Sequence, residues 1–391
     1  TKLSGNIGMR YVSTKVRSGG SFSLPTPEFF DNNGNRDGIV QLAEVQGSCA
    51  FILANNITPV PGYCGLSAAR QATYASLFTG EVISDPLNIR YTNWLPNFNA
   101  KLDFGNGVLV RGAISKGISR PDLSAFTSGG GAYDNTNNLR AGGLLATGPL
   151  LAINTGNRFL RPVESVNYDL SVEWYWADIG SLTVSGFVKD ISNIVNSGAI
   201  VRPFVTPKGV NTDILFNTPV NSDGGTLKGV EVAYQQTYDF LPGLLSGLGA
   251  GLTYTYVDAG DFNNASLGSE QSPLSGGLPL AGVSKHTVNA VGFYEKGPLS
   301  FRLAYNWRSE FVQTPRDVIF PFSPIYGEAT GQLDGSIFVS VTKQLKLGIQ
   351  GVNLLDEVTQ TSQVIDFDGT RATRSAFRND RRFTFLARFE F

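Results

Sequence analysis

Apolar and polar residues alternate with period two along most of this chain. Val166, Tyr168, Leu170, Val172, Trp174 and Trp176 interleave with Asn167, Asp169, Ser171, Glu173 and Tyr175. Leu299, Phe301, Leu303, Tyr305 and Trp307 interleave with Ser300, Arg302, Ala304, Asn306 and Arg308. Side chains of a strand point to opposite faces in turn, so each segment is predicted as a strand with one apolar and one polar face. The pattern predicts strands over 3–15, 93–103, 107–117, 164–178, 181–195, 226–240, 248–258, 284–295, 299–311, 332–343, 345–356 and 381–391, about twelve in all. Most pair off across short connections. Phe104, Gly105 and Asn106 join one pair, Ile179 and Gly180 another, and Lys296, Gly297 and Pro298 a third. Between pairs the connections are long.

The last strand sharpens the picture. Phe383, Phe385, Ala387, Phe389 and Phe391 share one face, opposite Arg382, Thr384, Leu386, Arg388 and Glu390. Exposed to water, so apolar a terminal edge strand invites aggregation. It is at home if its apolar face meets lipid and its polar face meets water inside a closed barrel. Short turns at one end and long loops at the other are what such barrels have. Trp94, Trp174, Trp176, Trp307, Tyr238, Tyr254 and Tyr256 near strand ends suit interfacial girdles. Composition agrees. Charged residues are 16%, against roughly 25% in an ordinary soluble domain. No run of about 18 apolar residues offers a transmembrane helix, and a formal net charge of −1 gives no support for nucleic-acid binding. A soluble β-sandwich is the fallback, and it does not account for the short-turn, long-loop rhythm.

Several strings resemble one family. They are Leu95-Pro96-Asn97 with the Ser115 to Asp122 stretch SKGISRPD, VNYDLSVEWYW at 166–176, SGFVKDISNIV at 185–195, LKGVEVAYQQ at 227–236, GVNLLDE at 351–357, and the terminal RRFTFLARFEF. In order and content they resemble the barrel of TonB-dependent outer-membrane receptors, closest to the branch common in xanthomonads and caulobacters. The resemblance implies an all-β, antiparallel transmembrane barrel of about 22 strands holding a plug. Residues 1–391 would then be the C-terminal part of such a barrel, with plug and N-terminal strands absent. It further implies a bacterial outer-membrane protein for active uptake of a large, scarce nutrient, either an oligosaccharide or a ferric siderophore. Its partners would be the TonB complex acting through the missing plug, the barrel-assembly machinery reading Phe389 and Phe391, the surrounding lipids and an extracellular ligand. A passive plugless pore and an outer-membrane adhesin are the alternatives.

Catalytic chemistry has little to stand on. His286 is the sole histidine and sits within a strand, as a lumen or interface residue. No Ser/His/Asp set, zinc spacing or phosphate loop is present, so no enzyme is expected. Asn33, Asn35, Asp37 and Glu44 take positions one, three, five and twelve of a calcium-type loop, with Gly38 at six. An Asn/Gly-rich turn explains the same residues. Cys49 and Cys64 are expected to close a loop of about fifteen residues as a disulfide, two free thiols being the alternative. The segments 16–89, 118–163, 196–225, 259–282 and 312–329 are expected to form an external vestibule, with Phe78, Tyr133, Phe159, Phe320, Phe322 and Tyr326 as rings for a ligand.

Overall fold

The structure is a computed structural model, and it describes residues 1–27, 38–262, 277–315, 317, 323–366 and 368–390. Twelve strands form one antiparallel sheet in simple sequential order. They are β1 (Lys2–Ser18), β2 (Leu87–Gly105), β3 (Val108–Ser119), β4 (Val163–Ala177), β5 (Gly180–Ser192), β6 (Gly225–Thr237), β7 (Leu248–Asp258), β8 (His286–Lys296), β9 (Leu299–Arg308), β10 (Thr330–Ser340), β11 (Leu345–Val352) and β12 (Arg382–Phe389). Each pairs with the next. No helix of the described residues is long and apolar enough to cross a membrane.

The register shows why the sequence alternates. One cross-strand row runs Leu3, Leu102, Val110, Val172, Val184, Val232, Tyr254, Val288, Trp307. The adjacent row, shifted by one residue, runs Ser4, Lys101, Arg111, Ser171, Ser185, Glu231, Thr255, Thr287, Arg308. A slip of one residue in any pair would mix the two rows, so the two-faced pattern fixes the register. The apolar face is bare: Ile7 is 85% exposed and Phe385 77%. A bare apolar face of this extent fits lipid contact.

The turns at one end are tight. β2 and β3 are joined through Asn106 and Gly107, both at positive φ. A Cβ on Gly107 would stand 1.8 Å from the carbonyl oxygen of Tyr175, so only glycine lets the turn lie against β4. At the opposite end lie residues 19–27, 38–86, 120–162 and 193–224, which the sequence pattern gives as long loops. They fold together into a cap with its own hydrophobic core. Helices α1 (Leu42–Ala54), α2 (Ala68–Ser76) and α3 (Thr136–Ala141) lie there. So does a sheet of Ile194–Val205, Asn211–Ser222, Leu151–Asn154 and Tyr133–Asp134. Val45, Tyr74, Leu77, Leu151 and Ile214 are completely buried in its core. The sequence pattern ends the first strand at Lys15 and starts the second at Asn93, but β1 runs on to Ser18 and β2 starts at Leu87, carrying the barrel wall up into the cap. A second loop sheet joins Phe311–Thr314, Ile325–Gly327, Val358–Val364 and Arg371–Arg378.

Candidate functional site

Two polar surfaces stand out. The first is the polar inner wall. Arg111 on β3 donates from Nε to Glu173 Oε1 on β4 at 2.7 Å, and the hydroxyls of Ser171 and Tyr175 donate to the same carboxylate at 3.2 and 3.0 Å. Both signs recur along the wall, with Arg302, Arg308 and Arg388 sharing the face of Glu173 and Glu231. The inner wall therefore offers hydrogen-bonding groups of either kind and no filter of a single sign.

The second surface is the cap. Asp85, just before β2, sits between two guanidinium groups. Arg158 donates to its carboxylate and to its backbone carbonyl, and Arg202 donates to both carboxylate oxygens at 2.7 and 3.1 Å. The Arg158 side chain is 4% exposed. Burial works to raise the Asp85 pKa, but hydrogen bonds and charge from Arg202 and then Arg158 outweigh it and hold the carboxyl below its ordinary range. Arg202 also lies over the rings of Phe159, Phe204 and Phe216 at 5.0–5.2 Å. One carboxylate thus ties together three segments that enter the cap from different strands. Beside it, the buried hydroxyls of Ser128 and Thr218 have no protein partner and line a crevice of about water size. Elsewhere in the cap, Tyr63 stacks on Tyr74 and Phe78 meets Tyr74 edge-on, with ring centroids 5.5 and 4.9 Å apart. Burial, then the nearby Asp134, pushes the Tyr74 hydroxyl far above its usual range.

The residues singled out in the sequence fall in several places. Cys49 on α1 and Cys64 form a disulfide with Cα atoms 5.5 Å apart. Of the calcium-type loop, Asn33, Asn35 and Asp37 lie outside the described residues, as does Phe391. Glu44 stands in the first turn of α1, where its carboxylate accepts the Gln41 backbone N–H at 2.7 Å. Phe389 ends β12 opposite Leu345. His286 faces outward at the loop end of β8, its Nδ1 2.8 Å from the Tyr254 hydroxyl, so it is an interface residue and not a lumen one. Of the rings expected in the vestibule, Phe78 is core, 3% exposed, and Phe159 supports Arg202. Tyr133 is partly open, its hydroxyl donating to Asn154 at 3.0 Å and accepting from Asn217 at 2.9 Å. Phe320 and Phe322 lie outside the described residues. Asp85, Arg158 and Arg202 carry no local motif. Their importance comes from burial and pairing across 117 residues of sequence, which no spacing reveals.

A sheet with one lipid-compatible face, one polar face, tight turns at one end and a folded cap at the other is the wall of an outer-membrane-type β-barrel. The chain belongs to the TonB-dependent receptor-like β-barrel family, whose sequence profile matches residues 1–354. Among solved structures it is similar to a variant of the ferric enterobactin receptor of Pseudomonas aeruginosa. The identity is 16%, 78% of this chain and 42% of that one are covered, and the TM-score is 0.52. Another variant of that receptor, in complex with enterobactin, matches at 17% identity, 80% and 43% coverage and a TM-score of 0.51. The siderophore receptor PiuA of Acinetobacter baumannii matches at 13% identity, 78% and 37% coverage and a TM-score of 0.50. At these identities the likeness is one of fold. The chain spans roughly two fifths of the length of these structures. No curated protein matches it.

Proposed function

We propose that residues 1–391 are the C-terminal part of the barrel of an energised outer-membrane receptor that imports a bulky, scarce nutrient. The observation that carries this is the open sheet. Among the described residues β1 and β12 each pair on one side only, and unpaired strand edges are not tolerated in hydrocarbon. Further strands on both edges would complete a barrel wide enough to need a plug. Through that plug the TonB complex would supply the work of transport, and the barrel-assembly machinery would insert the chain through the β12 end.

The cargo we propose is an oligosaccharide or a ferric siderophore. The open face of Tyr133 with the Asn154 and Asn217 amides offers a ring and hydrogen-bonding groups at the cap surface, which suit either. The resemblance of the motif strings to the xanthomonad and caulobacter branch tilts the choice toward carbohydrate. Calcium held by Asn33, Asn35, Asp37 and Glu44 would order the first long segment. Calorimetry on the full-length receptor is expected to give a calcium heat that Glu44→Ala removes, and no heat in either protein overturns that point.

The main test is growth of a deletion strain on single siderophores as iron source and on single oligosaccharides as carbon source, with and without TonB. Loss of growth on one nutrient, restored only by the full-length gene in a strain with TonB, is expected. Growth restored equally without TonB would point instead to a passive pore. Wild-type growth of the deletion strain on every nutrient would point to an adhesin.

A further inference from the structure

The Asp85 clamp leaves a charge unbalanced inside the cap. Two guanidinium groups, Arg158 and Arg202, share one carboxylate, an excess of one positive charge. Among the described residues no second carboxylate lines the crevice beside them. The Arg158 side chain is 4% exposed, so bulk water and groups outside the cap are kept from it. A buried charge without a counter-charge is costly, and the cost falls on the cap.

The lining of the crevice defines what would balance it. The hydroxyl oxygens of Ser128 and Thr218 are buried there and have no partner among the described residues. A guanidinium only donates hydrogen bonds, and a hydroxyl can turn its hydrogen toward an acceptor. An acceptor in the crevice would therefore collect a bond from each hydroxyl while standing beside the excess charge. The neighbouring wall is apolar, with Phe22, Ile153 and Phe216 buried, and low polarity strengthens the pull between a charge and its counter-ion. The volume is about 20 Å³, where a single water needs about 10–15 Å³. A monatomic anion fits this space and a phosphate does not. A water fits too, but it leaves the excess charge as it was. Glycine keeps the space open, since a Cβ on Gly20 would collide with the Ser128 hydroxyl and with Nη1 of Arg158.

We propose that this crevice binds one monovalent halide, chloride, held by the hydroxyls of Ser128 and Thr218 beside the Arg158 and Arg202 pair. The anion completes the clamp, so that two cations meet two negative charges. It also joins the segments that carry Ser128 and Thr218 to the clamp, and the cap becomes more stable as the surrounding chloride rises. The proposal concerns the cap and does not depend on what the receptor imports.

The test is hydrogen exchange on the full-length receptor, with sodium chloride exchanged for sodium methanesulfonate at constant ionic strength. For a dissociation constant of about 10 mM, going from about 1 to about 150 mM chloride is expected to raise protection in 120–162 and 193–222 about fifteenfold, with β3, β4 and β5 unchanged. Bromide in place of chloride is expected to act alike, and to give an anomalous scattering peak between Ser128 and Thr218 in crystals. Thr218→Val and Ser128→Ala each remove one donor, and each is expected to cut the rise below about threefold. A hydroxyl with a merely structural role would change protection equally at both chloride concentrations. Should one variant assemble poorly, the other variant and the wild-type bromide peak still decide the matter. Protection that does not respond to chloride overturns the proposal and leaves the crevice to water. A rise that both variants keep in full, or an equal rise in the wall strands, overturns it as well.

Discussion

The Asp85 clamp makes the firmest quantitative demand on this structure. Asp85→Ala removes the one acceptor shared by Arg158 and Arg202, and it strands the Arg158 guanidinium in a setting where its side chain is 4% exposed. Deleting one partner of a buried ion pair costs about 3–5 kcal/mol, because the charge left behind stays desolvated. The lower figure applies here, since Arg202 is 23% exposed and can reach water. The loss belongs to the cap and not to the wall, whose strand ladder does not involve Asp85. Hydrogen exchange on the full-length receptor should therefore show protection factors in 120–162 and 193–222 falling roughly a hundredfold, with β3, β4 and β5 unchanged. The pH dependence has a definite sign. The Asp85 pKa is lowered in the folded state, so its stabilisation is fully present above the unfolded value near about 4 and fades as pH falls below it. Wild-type cap protection should decline on acidification through that window, and the Asp85→Ala cap should not respond to it. Equal protection of wild type and variant at neutral pH would refute the reasoning. A cap that loosens together with the wall would refute the claim that the two are separable.

Other expectations follow from the same structure. Cys49→Ser with Cys64→Ser opens a loop of about fifteen residues and should lower cap stability by about 3 kcal/mol, read as faster proteolysis between α1 and α2 with heat-modifiable gel migration unchanged. Phe385→Lys, on the bare outward face of β12, should cost about 2–4 kcal/mol in a folding titration into bilayers, whereas Thr384→Lys on the inner face should cost under about 1. Gly107→Ala should depress the yield of assembled barrel, because its Cβ meets the Tyr175 carbonyl and its φ is positive; normal yield would show that the turn can move away from β4.

How much of this was legible depends on which solvent each segment meets. The wall could be read strand by strand. Lipid on one side and water on the other impose period two on every strand, and the row from Leu3 to Trp307 is that rule written across nine strands. The cap reads from the sequence only as long loops, because its residues obey no single period. Tyr74 and Leu77 are buried from a helix of nine residues and its C-cap, while Leu151 and Ile153 are buried from a strand of four. Each piece is too short to declare itself, and the core they make is assembled from segments that leave the wall at three different places. The strand ends were missed for a related reason. Above the membrane the outward positions of β1 and β2 turn polar, at Ser13, Lys15, Thr92 and Arg90, so the hydrophobic signal stops although the ladder continues to Ser18.

The same division explains what holds each part together and where function can reside. Lipid-facing side chains of the wall gain nothing from one another. Their stability comes from the bilayer and from backbone pairing that hydrocarbon makes obligatory. The cap stands in water and must supply its own core, its disulfide and its buried Asp85 clamp. On the proposed function a ligand arriving from outside would meet the cap first, and the cap can yield locally without unpairing the barrel, since its bonds and the wall's ladder are separate sets. Local opening at modest cost is what a receptor needs if a bulky solute is to pass its loops. The Asp85 clamp joins the segment before β2 to residues reached through β3 and β5, so loosening it frees three connections at once. A receptor whose cap opens during uptake should therefore transport faster, and bind its cargo less tightly, when Asp85 is replaced. If Asp85→Ala leaves both quantities at wild-type values while cap protection falls, opening of this part of the cap lies outside the transport cycle.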